Sequence, residues 1–390
     1  MKYQYTLILI FFGIFASAGN SLAAPSVSGV SGTLNHGNSI TITGMGFGTK
    51  TTAAPLLWDD GSGVNVGDAP TAKGWTGGVP SYTGAYSAYS SSSMQYRAPG
   101  FRGTSAPNSH VSHYLGGAIM GYDYGGFFGA NGMLWKDLTV SSPQNIYVSF
   151  YTRRDPAWER GNEDNYKEFN YCSAGLPYTL PESLVLVTFA GNQWASYQPL
   201  SKDGGGSIWG SDSANDYSGW AKRELILHTE TSNGYATVIE NGIQKDTWMG
   251  DLTKGPDEYG QLINMTGTGR VFSIGGYQRP DVDWTESPYP DNFKYFAGIY
   301  LDTSFARILI GNAATLTGST TFRELQIPSA WADTSITATI NQGGFSNGAT
   351  AYLYVFDSTG TANATGYPIT FGSGSSDTTP PAMPSGLSVS

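Results

Sequence analysis

Hydrophobic and polar residues alternate along many short stretches of this chain, and few stretches carry the 3.6-residue period of an amphipathic helix. The alternating stretches are residues 40–43, 146–152, 220–228, 234–240, 307–310, 324–327, 331–340 and 348–357. Glycine, asparagine, aspartate and serine separate these runs. The pattern predicts an all-β protein built from many short strands and tight turns. At residues 240–243, the Asn-Gly pair predicts a hairpin with a type I′ turn.

The same alternation predicts which side of each strand faces a core. In residues 146–152, Ile146, Val148 and Phe150 share one side. In residues 220–228, Leu225 and Leu227 do the same. The opposite sides mix aromatic and polar groups, which is the composition that suits a sugar. We therefore predict a ligand-binding face that carries Tyr147, Tyr151, Arg153, Trp220, Lys222, Glu224 and His228. A solvated outer sheet with scattered aromatic residues is the alternative interpretation of this pattern.

The N-terminus has the features of a secretory signal peptide. Lys2 precedes an apolar run from Leu7 to Ala18, and the small residues Ser21 and Ala23 follow it. This run is too short for a stable membrane anchor. Residues 1–23 therefore predict export, with an extracellular or cell-surface location and no membrane insertion.

Composition narrows the classes of partner. The 390 residues include 52 Gly, 25 Tyr and 10 Trp, only 13% are charged, and the formal net charge is −10. An acidic chain without basic clusters argues against nucleic acid as a partner. Cys172 is the single cysteine, so no intrachain disulfide can form.

The stretch ITITGMGFGTK, residues 40–50, places three glycines after a strand pattern. A phosphate-binding loop would have to lead into a helix, but Pro55 and an aperiodic sequence follow instead. The glycines are better explained as turn residues, with Phe47 directed inward as a plug.

This segment resembles the start of an IPT/TIG immunoglobulin-like domain. The resemblance implies a small β-sandwich, and residues 25–58 contain only its first strands. The runs within residues 303–372 are similar to its back half. We therefore expect these two segments to form one sandwich, split by a large insertion; a separate C-terminal β-domain with a loosely attached N-terminal hairpin is the alternative.

After the linker-like residues 373–376, the C-terminus resembles the first strand of a fibronectin type III domain. The motif is DTTPPAMPSGLSVS, residues 377–390. We assign residues 373–390 to a linker and the start of such a repeat. This favours a fragment of a longer surface protein, and a disordered tail is the alternative.

The order of strands in residues 60–302 resembles the concanavalin A-like jelly roll of laminin-G modules and polysaccharide lyases. Gly219-Trp220, the Arg-Glu-Leu run that begins at Arg223, the Asn-Gly hairpin and the strand that ends at Asp302 carry the likeness. The resemblance implies a two-sheet sandwich with a concave glycan-binding face. Such sandwiches often hold one structural calcium ion, for which Asp302 is the candidate ligand; a plain turn aspartate is the alternative. No other cofactor is expected.

An enzyme of this fold is the alternative to a binding protein. Retaining glycosidases need two closely spaced carboxylates, but the chain has no Glu-x-Asp-x-Glu run. Lyase-like features are partial, with His228 or Tyr300 as the candidate base and Arg223 as the candidate cation. By strand parity, however, Arg223 and His228 face opposite ways.

We therefore predict a non-catalytic protein for glycan recognition or adhesion, with a polysaccharide as its partner. Further domains or subunits of a surface assembly are possible additional partners. A polysaccharide lyase or glycoside hydrolase is the first alternative, and a purely structural surface spacer is the second. Glycan binding requires the face that carries Tyr147, Tyr151 and Trp220 to be open, whereas a purely structural spacer allows it to be covered.

Overall fold

The computed structural model describes residues 23–65, 68, 70–78, 94–97, 109–114, 133–138, 144–154, 165–172, 183–189, 194–198, 208–211, 220–230, 232–250, 254–256, 262–264, 270–275, 278–279, 292–372 and 374–375. The regular secondary structure of these residues consists of β-strands and one short 3-10 helix at Pro70–Lys73, joined by turns and irregular segments. The all-β class predicted from the alternation is therefore confirmed. The proposed signal peptide and fibronectin-like strand lie outside the described residues, except for Ala23.

The strands, in chain order, are β1 (Ser26–Thr33), β2 (Ser39–Met45), β3 (Leu57–Asp59), β4 (Gly77–Gly78), β5 (Met94–Arg97), β6 (Ser109–Tyr114), β7 (Met133–Leu138), β8 (Asn145–Arg154), β9 (Asn165–Cys172), β10 (Ser183–Phe189), β11 (Trp194–Gln198), β12 (Ile208–Ser211), β13 (Ala221–His228), β14 (Gly234–Glu240), β15 (Ile243–Gly250), β16 (Lys254–Pro256), β17 (Leu262–Asn264), β18 (Arg270–Gly275), β19 (Gln278–Arg279), β20 (Asn292–Asp302), β21 (Arg307–Gly311), β22 (Arg323–Ala332), β23 (Ser335–Thr339), β24 (Thr350–Phe356), β25 (Tyr367–Thr370) and β26 (Gly374–Ser375).

Strands β3–β20 form a two-sheet unit, which we call the large sandwich. Its first sheet has the order β15-β14-β13-β8-β20-β6-β5, and β3 pairs with β20. Its second sheet has the order β12-β11-β10-β9-β18-β7-β4, and β19 pairs with β9. Strands β16 and β17 form a separate two-stranded ribbon. The strands of both sheets are antiparallel.

The large sandwich has one hydrophobic core between its two sheets. Ile146, Val148 and Phe150 of β8 lie in it with Phe272 and Ile274 of β18, and all five are at most 1% exposed. Leu225 and Leu227 belong to the same cluster. The inward-facing residues predicted for β8 and β13 are thus confirmed, because strand alternation places every second side chain on the buried side.

The remaining strands form a second unit, which we call the small sandwich: β1, β2 and β21–β26. They follow the order β25-β24-β21-β22-β23-β2-β1-β26. Strand β22 pairs with β21 through residues 323–326 and with β23 through residues 327–332, with a register shift at Pro328. The strand therefore bends from one layer of the small sandwich into the other.

Both ends of the described chain contribute to the small sandwich. Ile42 of β2 pairs with Ile336 of β23, and both share a buried cluster with Ile310 and Val355. Residues 26–45 and 307–375 thus enclose one core, and the large sandwich is inserted between them in the sequence.

Of the three glycines at residues 44–48, Gly44 belongs to β2, and Gly46 and Gly48 lie in the irregular segment that follows it. Gly46 and Gly48 have φ of +74° and +70°, values that favour glycine. Phe47 is fully buried in the core of the small sandwich, so its predicted role as a plug is confirmed. The amide of Gly48 donates to Asp333 Oδ1 at 2.9 Å, and the amide of Phe47 donates to the carbonyl of Asp333 at 3.1 Å.

Those hydrogen bonds correct one sequence-based prediction. Residues 331–340 do not form a single strand, because a turn at Asp333 and Thr334 separates β22 from β23.

Among the described helices, none has the length and apolar character needed to cross a membrane.

Candidate functional site

The first sheet of the large sandwich turns one face away from the core, and we call this its outer face. Strand alternation places Tyr147, Tyr151 and Arg153 of β8 on it. The partner strand β13 contributes Lys222, Glu224 and His228, because Lys222 pairs with Tyr151 and Glu224 with Ser149. This is the face on which the sequence predicts ligand-binding residues.

Part of the outer face is not open to solvent. Tyr147 and Tyr300 are fully buried, and they pack with Phe305 and with Leu325 of β22. The small sandwich therefore covers this part of the sheet. Leu325 of β22 and Phe305 of the β20–β21 connection provide this cover.

A charged pair lies at the centre of this interface between the two sandwiches. Arg323 Nε donates to Glu224 Oε2 at 2.9 Å, and Tyr147 Oη donates to Glu224 Oε1 at 2.6 Å. Burial alone would raise the pKa of Glu224, but the positive charges of Arg323 and Lys222 outweigh it and lower this pKa to about 2. Glu224 is therefore an ionised carboxylate held by groups of its own chain.

Two further cations secure the interface. The guanidinium of Arg307 lies between two aromatic rings, 4.1 Å from the centroid of Tyr147 and 3.6 Å from that of Phe356. Lys50, from the turn region of the small sandwich, places its Nζ 2.7 Å from Asp302 Oδ2 at the end of β20. Burial raises the pKa of Asp302 and lowers that of Lys50.

The contact with Lys50 bears on the calcium ion suggested for Asp302. An ammonium group occupies the position beside the carboxylate that a cation would take, so the residues present do not fit a calcium site. Within the described part of the chain, no group of three or more His, Cys, Asp or Glu side chains could hold a metal ion.

The three candidate lyase residues have separate surroundings. His228 Nδ1 lies 2.6 Å from Asn145 Oδ1, and its ring stacks on Tyr235. Arg223 pairs with Glu240 on the core side of β13. Tyr300 donates to Asp302 at 3.1 Å beneath the small sandwich, and burial raises its pKa well above the usual range. In the described part of the chain, these three side chains therefore have different neighbours.

Another part of the outer face, around Tyr151 and Lys222, opens into a cleft between the two sandwiches. Its volume is about 460 Å³. One wall belongs to the large sandwich and the other to the small sandwich. The lining side chains with aromatic or polar character are Trp58, Asp60, Ser62, Tyr151, Lys222, His36, Glu324, Asn341, Gln342 and Phe345. Trp58 and Tyr151 are both partly exposed, so each presents ring surface beside hydrogen-bonding groups.

Backbone geometry positions the aromatic wall. Strand β20 carries one extra residue relative to β8 between the pairs Ala297–Tyr151 and Tyr300–Ser149. Gly298 lies in this bulge with φ of +55°, and an added Cβ would lie 3.3 Å from the Tyr151 ring. The bulge leaves room for the Tyr151 side chain at the floor of the cleft.

The opposite wall also depends on a glycine. Gly343 has φ of +55°, and an added Cβ there would overlap the carboxylate of Glu324. Tyr151 Oη lies 3.3 Å from Glu324 Oε1, so the two walls meet at this hydrogen bond.

Asp60 supplies an ionised group near the rim of the cleft. Its Oδ1 accepts from the amide of Ser62 at 2.9 Å and from Lys73 Nζ at 3.3 Å. Burial works to raise the pKa of Asp60, but the bonds from Ser62 and the charge of Lys73 outweigh it and lower the pKa. The carboxylate is therefore ionised at neutral pH.

An aromatic and cationic cluster adjoins the cleft on the same face. The Arg153 guanidinium lies 4.4 Å from the centroid of Tyr295 and 5.6 Å from that of Trp220. All three side chains are partly exposed. Arg153 pairs with Tyr295, two positions along β8 from Tyr151.

The structure thus divides the residues that the sequence predicts for ligand binding. Tyr151, Arg153, Trp220 and Lys222 lie at the cleft or next to it. The other three lie in or beside the covered interface: Tyr147, Glu224 and His228.

The sequence did not predict most of the residues that form the small-sandwich wall of the cleft. Glu324, Asn341 and Gln342 are more than 100 residues from Tyr151 in the chain. Trp58 was assigned to the N-terminal module, but β3 pairs with β20 of the large sandwich. An apolar-aromatic run next to two aspartates, LLWDD at residues 56–60, is the one local signal that could have identified Trp58 and Asp60.

No family model and no curated protein matches this chain. Solved structures that match part of this chain include the alginate lyase Aly36B, at 14% identity over 64% of this chain and 98% of the other, with a TM-score of 0.38. An endo-1,3-beta-glucanase from Streptomyces sioyaensis gives 12% identity over 65% and 98%, with a TM-score of 0.36. A polysaccharide lyase family 7 alginate lyase, AlgAT5, gives 11% identity over 53% and 81%, with a TM-score of 0.33. At these values the likeness does not assign an activity to this chain.

Proposed function

We propose that this chain is an exported, non-catalytic glycan-binding protein that holds carbohydrate in the cleft between its two sandwiches. One observation carries the proposal: partly exposed Trp58 and Tyr151 lie in the same cleft as a set of hydrogen-bonding side chains from both walls. The location follows from the proposed signal peptide, and a role in adhesion at a cell surface is consistent with it.

The chemistry of the cleft suits a sugar. Pyranose rings present C–H groups that pack on aromatic faces, and their hydroxyls both donate and accept hydrogen bonds. Ionised Asp60 offers acceptors, Lys222 carries donors, and the amides of Asn341 and Gln342 have both kinds of group. Ligand sites of this kind combine apolar walls with a few polar groups that fix orientation.

One carboxylate of the cleft, Asp60, lacks the property that an acid catalyst of hydrolysis needs. A glycosidase needs one carboxylic acid whose pKa is raised, so that it can protonate the leaving oxygen. The pKa of Asp60 is lowered instead. The alternative of a lyase is weakened by the separate surroundings of His228, Arg223 and Tyr300.

A glycan array followed by calorimetric titration tests the proposal. The mature chain, from residue 24, is screened against neutral and uronate-containing polysaccharides, and hexasaccharides from the bound polymer are then titrated. We expect Trp58→Ala and Tyr151→Ala each to weaken binding at least tenfold, which corresponds to about 1.4 kcal/mol. Tyr352→Ala is the matched control, because this partly exposed tyrosine lies on β24 and does not line the cleft.

The outcomes separate the competing functions. A folded wild-type chain that binds none of the glycans would exclude the proposal. Release of unsaturated or reducing ends from a bound polysaccharide would replace it with the lyase or hydrolase alternative. Trp220→Ala, measured in parallel, reports whether the adjoining aromatic cluster also contacts the ligand.

A structural spacer is the second candidate, and the buried interface favours it. Spacer modules need a fixed relative orientation, and the contacts of Arg323, Arg307 and Lys50 hold the two sandwiches together. The glycan screen decides between the two, since a spacer without a ligand site would show no specific binding.

A further inference from the structure

Arg323, the first residue of β22, joins the two sandwiches without lining the cleft. Its side chain is 4% exposed and that of its partner Glu224 is fully buried. The guanidinium donates to Glu224 Oε2 at 2.9 Å and to the carbonyl of Leu316 at 3.1 Å. The residue is therefore fixed from both sides of the interface.

The backbone of the same residue contacts two side chains that do line the cleft. The carbonyl oxygen of Arg323 accepts from Lys222 Nζ and, at 3.4 Å, from Tyr151 Oη. The neighbouring Glu324 accepts from Tyr151 Oη at 3.3 Å. Tyr151 and Lys222 thus take their orientation from a strand of the other sandwich.

We propose that Arg323 is a positioning residue for the cleft: its pairing with Glu224 docks β22 on the outer face, and the docked strand orients Tyr151 and Lys222 for ligand binding. The ligand class in this inference rests on the proposed function, but the positioning itself does not. Ligand affinity is then linked to docking of the two sandwiches, because one strand serves both.

Removing one partner of a buried pair has a different effect from removing both. Arg323→Met leaves the Glu224 carboxylate buried without its main cation, which disfavours the docked arrangement. The double variant Glu224→Gln with Arg323→Met removes both charges, and the glutamine side-chain oxygen can still accept from Tyr147. The double variant therefore restores docking if the unpaired Glu224 charge is what disfavours docking in Arg323→Met.

The first readout needs no glycan. Lys222 is 4% exposed, so limited acetylation followed by mass spectrometry reports on docking at that side chain. We expect Lys222 to react at least tenfold faster in Arg323→Met than in the wild type and to return toward the wild-type rate in the double variant. Lys136 on β7 is the internal reference, because it belongs to the other sheet of the large sandwich. Unchanged Lys222 reactivity in Arg323→Met would overturn the inference.

The second readout uses hexasaccharides of the polysaccharide that the wild type binds. We expect at least tenfold weaker binding by Arg323→Met and recovery in the double variant, although neither side chain lines the cleft. Equal affinity of wild type and Arg323→Met would overturn the inference while leaving the proposed function intact. If the wild type binds no glycan, the proposed function fails, and the Lys222 reactivity still decides the role of Arg323.

Discussion

At the interface of the two sandwiches, burial and neighbouring charges together determine the protonation states of individual side chains. Glu224 is fully buried, and desolvation disfavours its charged form, yet Arg323 and Lys222 keep it ionised. Burial and the nearby Glu224 charge also raise the pKa of Tyr147 far above its usual value, so this phenol stays protonated and donates to the carboxylate. Both carboxylate oxygens of Glu224 therefore accept hydrogen bonds within the interface rather than from a ligand.

This buried carboxylate predicts a pH dependence of stability. The folded-state pKa of about 2 lies below the usual glutamate value of 4.5, so the stabilising contribution is present above pH 4.5. It is lost as the pH falls from about 4.5 toward 2 and amounts to about 3 kcal/mol in the free energy of unfolding. Denaturant unfolding across this range measures it. The Glu224→Gln and Arg323→Met double variant should lack this part of the dependence, and an identical pH profile for both proteins would contradict the assignment.

Strands and turns were the elements most accessible from the sequence. The Asn-Gly pair forms the predicted hairpin: Asn241 and Gly242 have φ of +48° and +79° between β14 and β15, as a type I′ turn requires. Local chemistry decides such a turn, since few residues tolerate positive φ. The predicted strand over residues 331–340 was wrong because the turn at Asp333 is held by amides of residues 47 and 48, which are distant in sequence.

The same hairpin also touches the small sandwich, which gives a prediction for Gly242→Ala. A Cβ there would lie 2.7 Å from the carbonyl oxygen of Ser319 and 2.8 Å from Arg323 Cδ. We expect Gly242→Ala to lower the free energy of unfolding by about 1–2 kcal/mol through backbone strain. Overpacking against these two residues should lower it by about 1–3 kcal/mol more. Gly37→Ala is the control, since Gly37 has φ of +81° and nothing within 4 Å of an added Cβ. Equal losses of unfolding free energy in the two variants would show that the contacts with Ser319 and Arg323 add no cost beyond the backbone strain.

Across the whole molecule, the interface makes one body of two sandwiches. Tyr147 and Tyr300 of the large sandwich share a buried cluster with Phe305 and Leu325. Separating the two units would therefore expose apolar side chains on both. The inserted position of the large sandwich adds to this, because both ends of its chain lead into the small sandwich. The cleft exists only where the two units meet.

This arrangement predicts cooperative unfolding. We expect a single calorimetric transition whose van't Hoff and calorimetric enthalpies agree, because exposing the interface destabilises both units. Arg323→Met should broaden the transition or split it in two, since docking contributes less in that variant. Two separate transitions in the wild-type protein would indicate that the sandwiches unfold independently.

The sequence by itself determined the all-β class, the inward and outward sides of β8 and β13, the inward plug Phe47 and the Asn-Gly turn. Each of these follows from alternation or from backbone preferences that act over a few neighbouring residues. The tertiary structure alone decided that the outer face is covered around Tyr147 and opens into a cleft around Tyr151. Those outcomes depend on where β22 docks, and the contacts of Arg323 with Glu224 and Tyr151 join residues 99 and 172 positions apart. Strand periodicity assigns a side chain to a face, but only the packing of whole units determines whether that face meets solvent or another sheet.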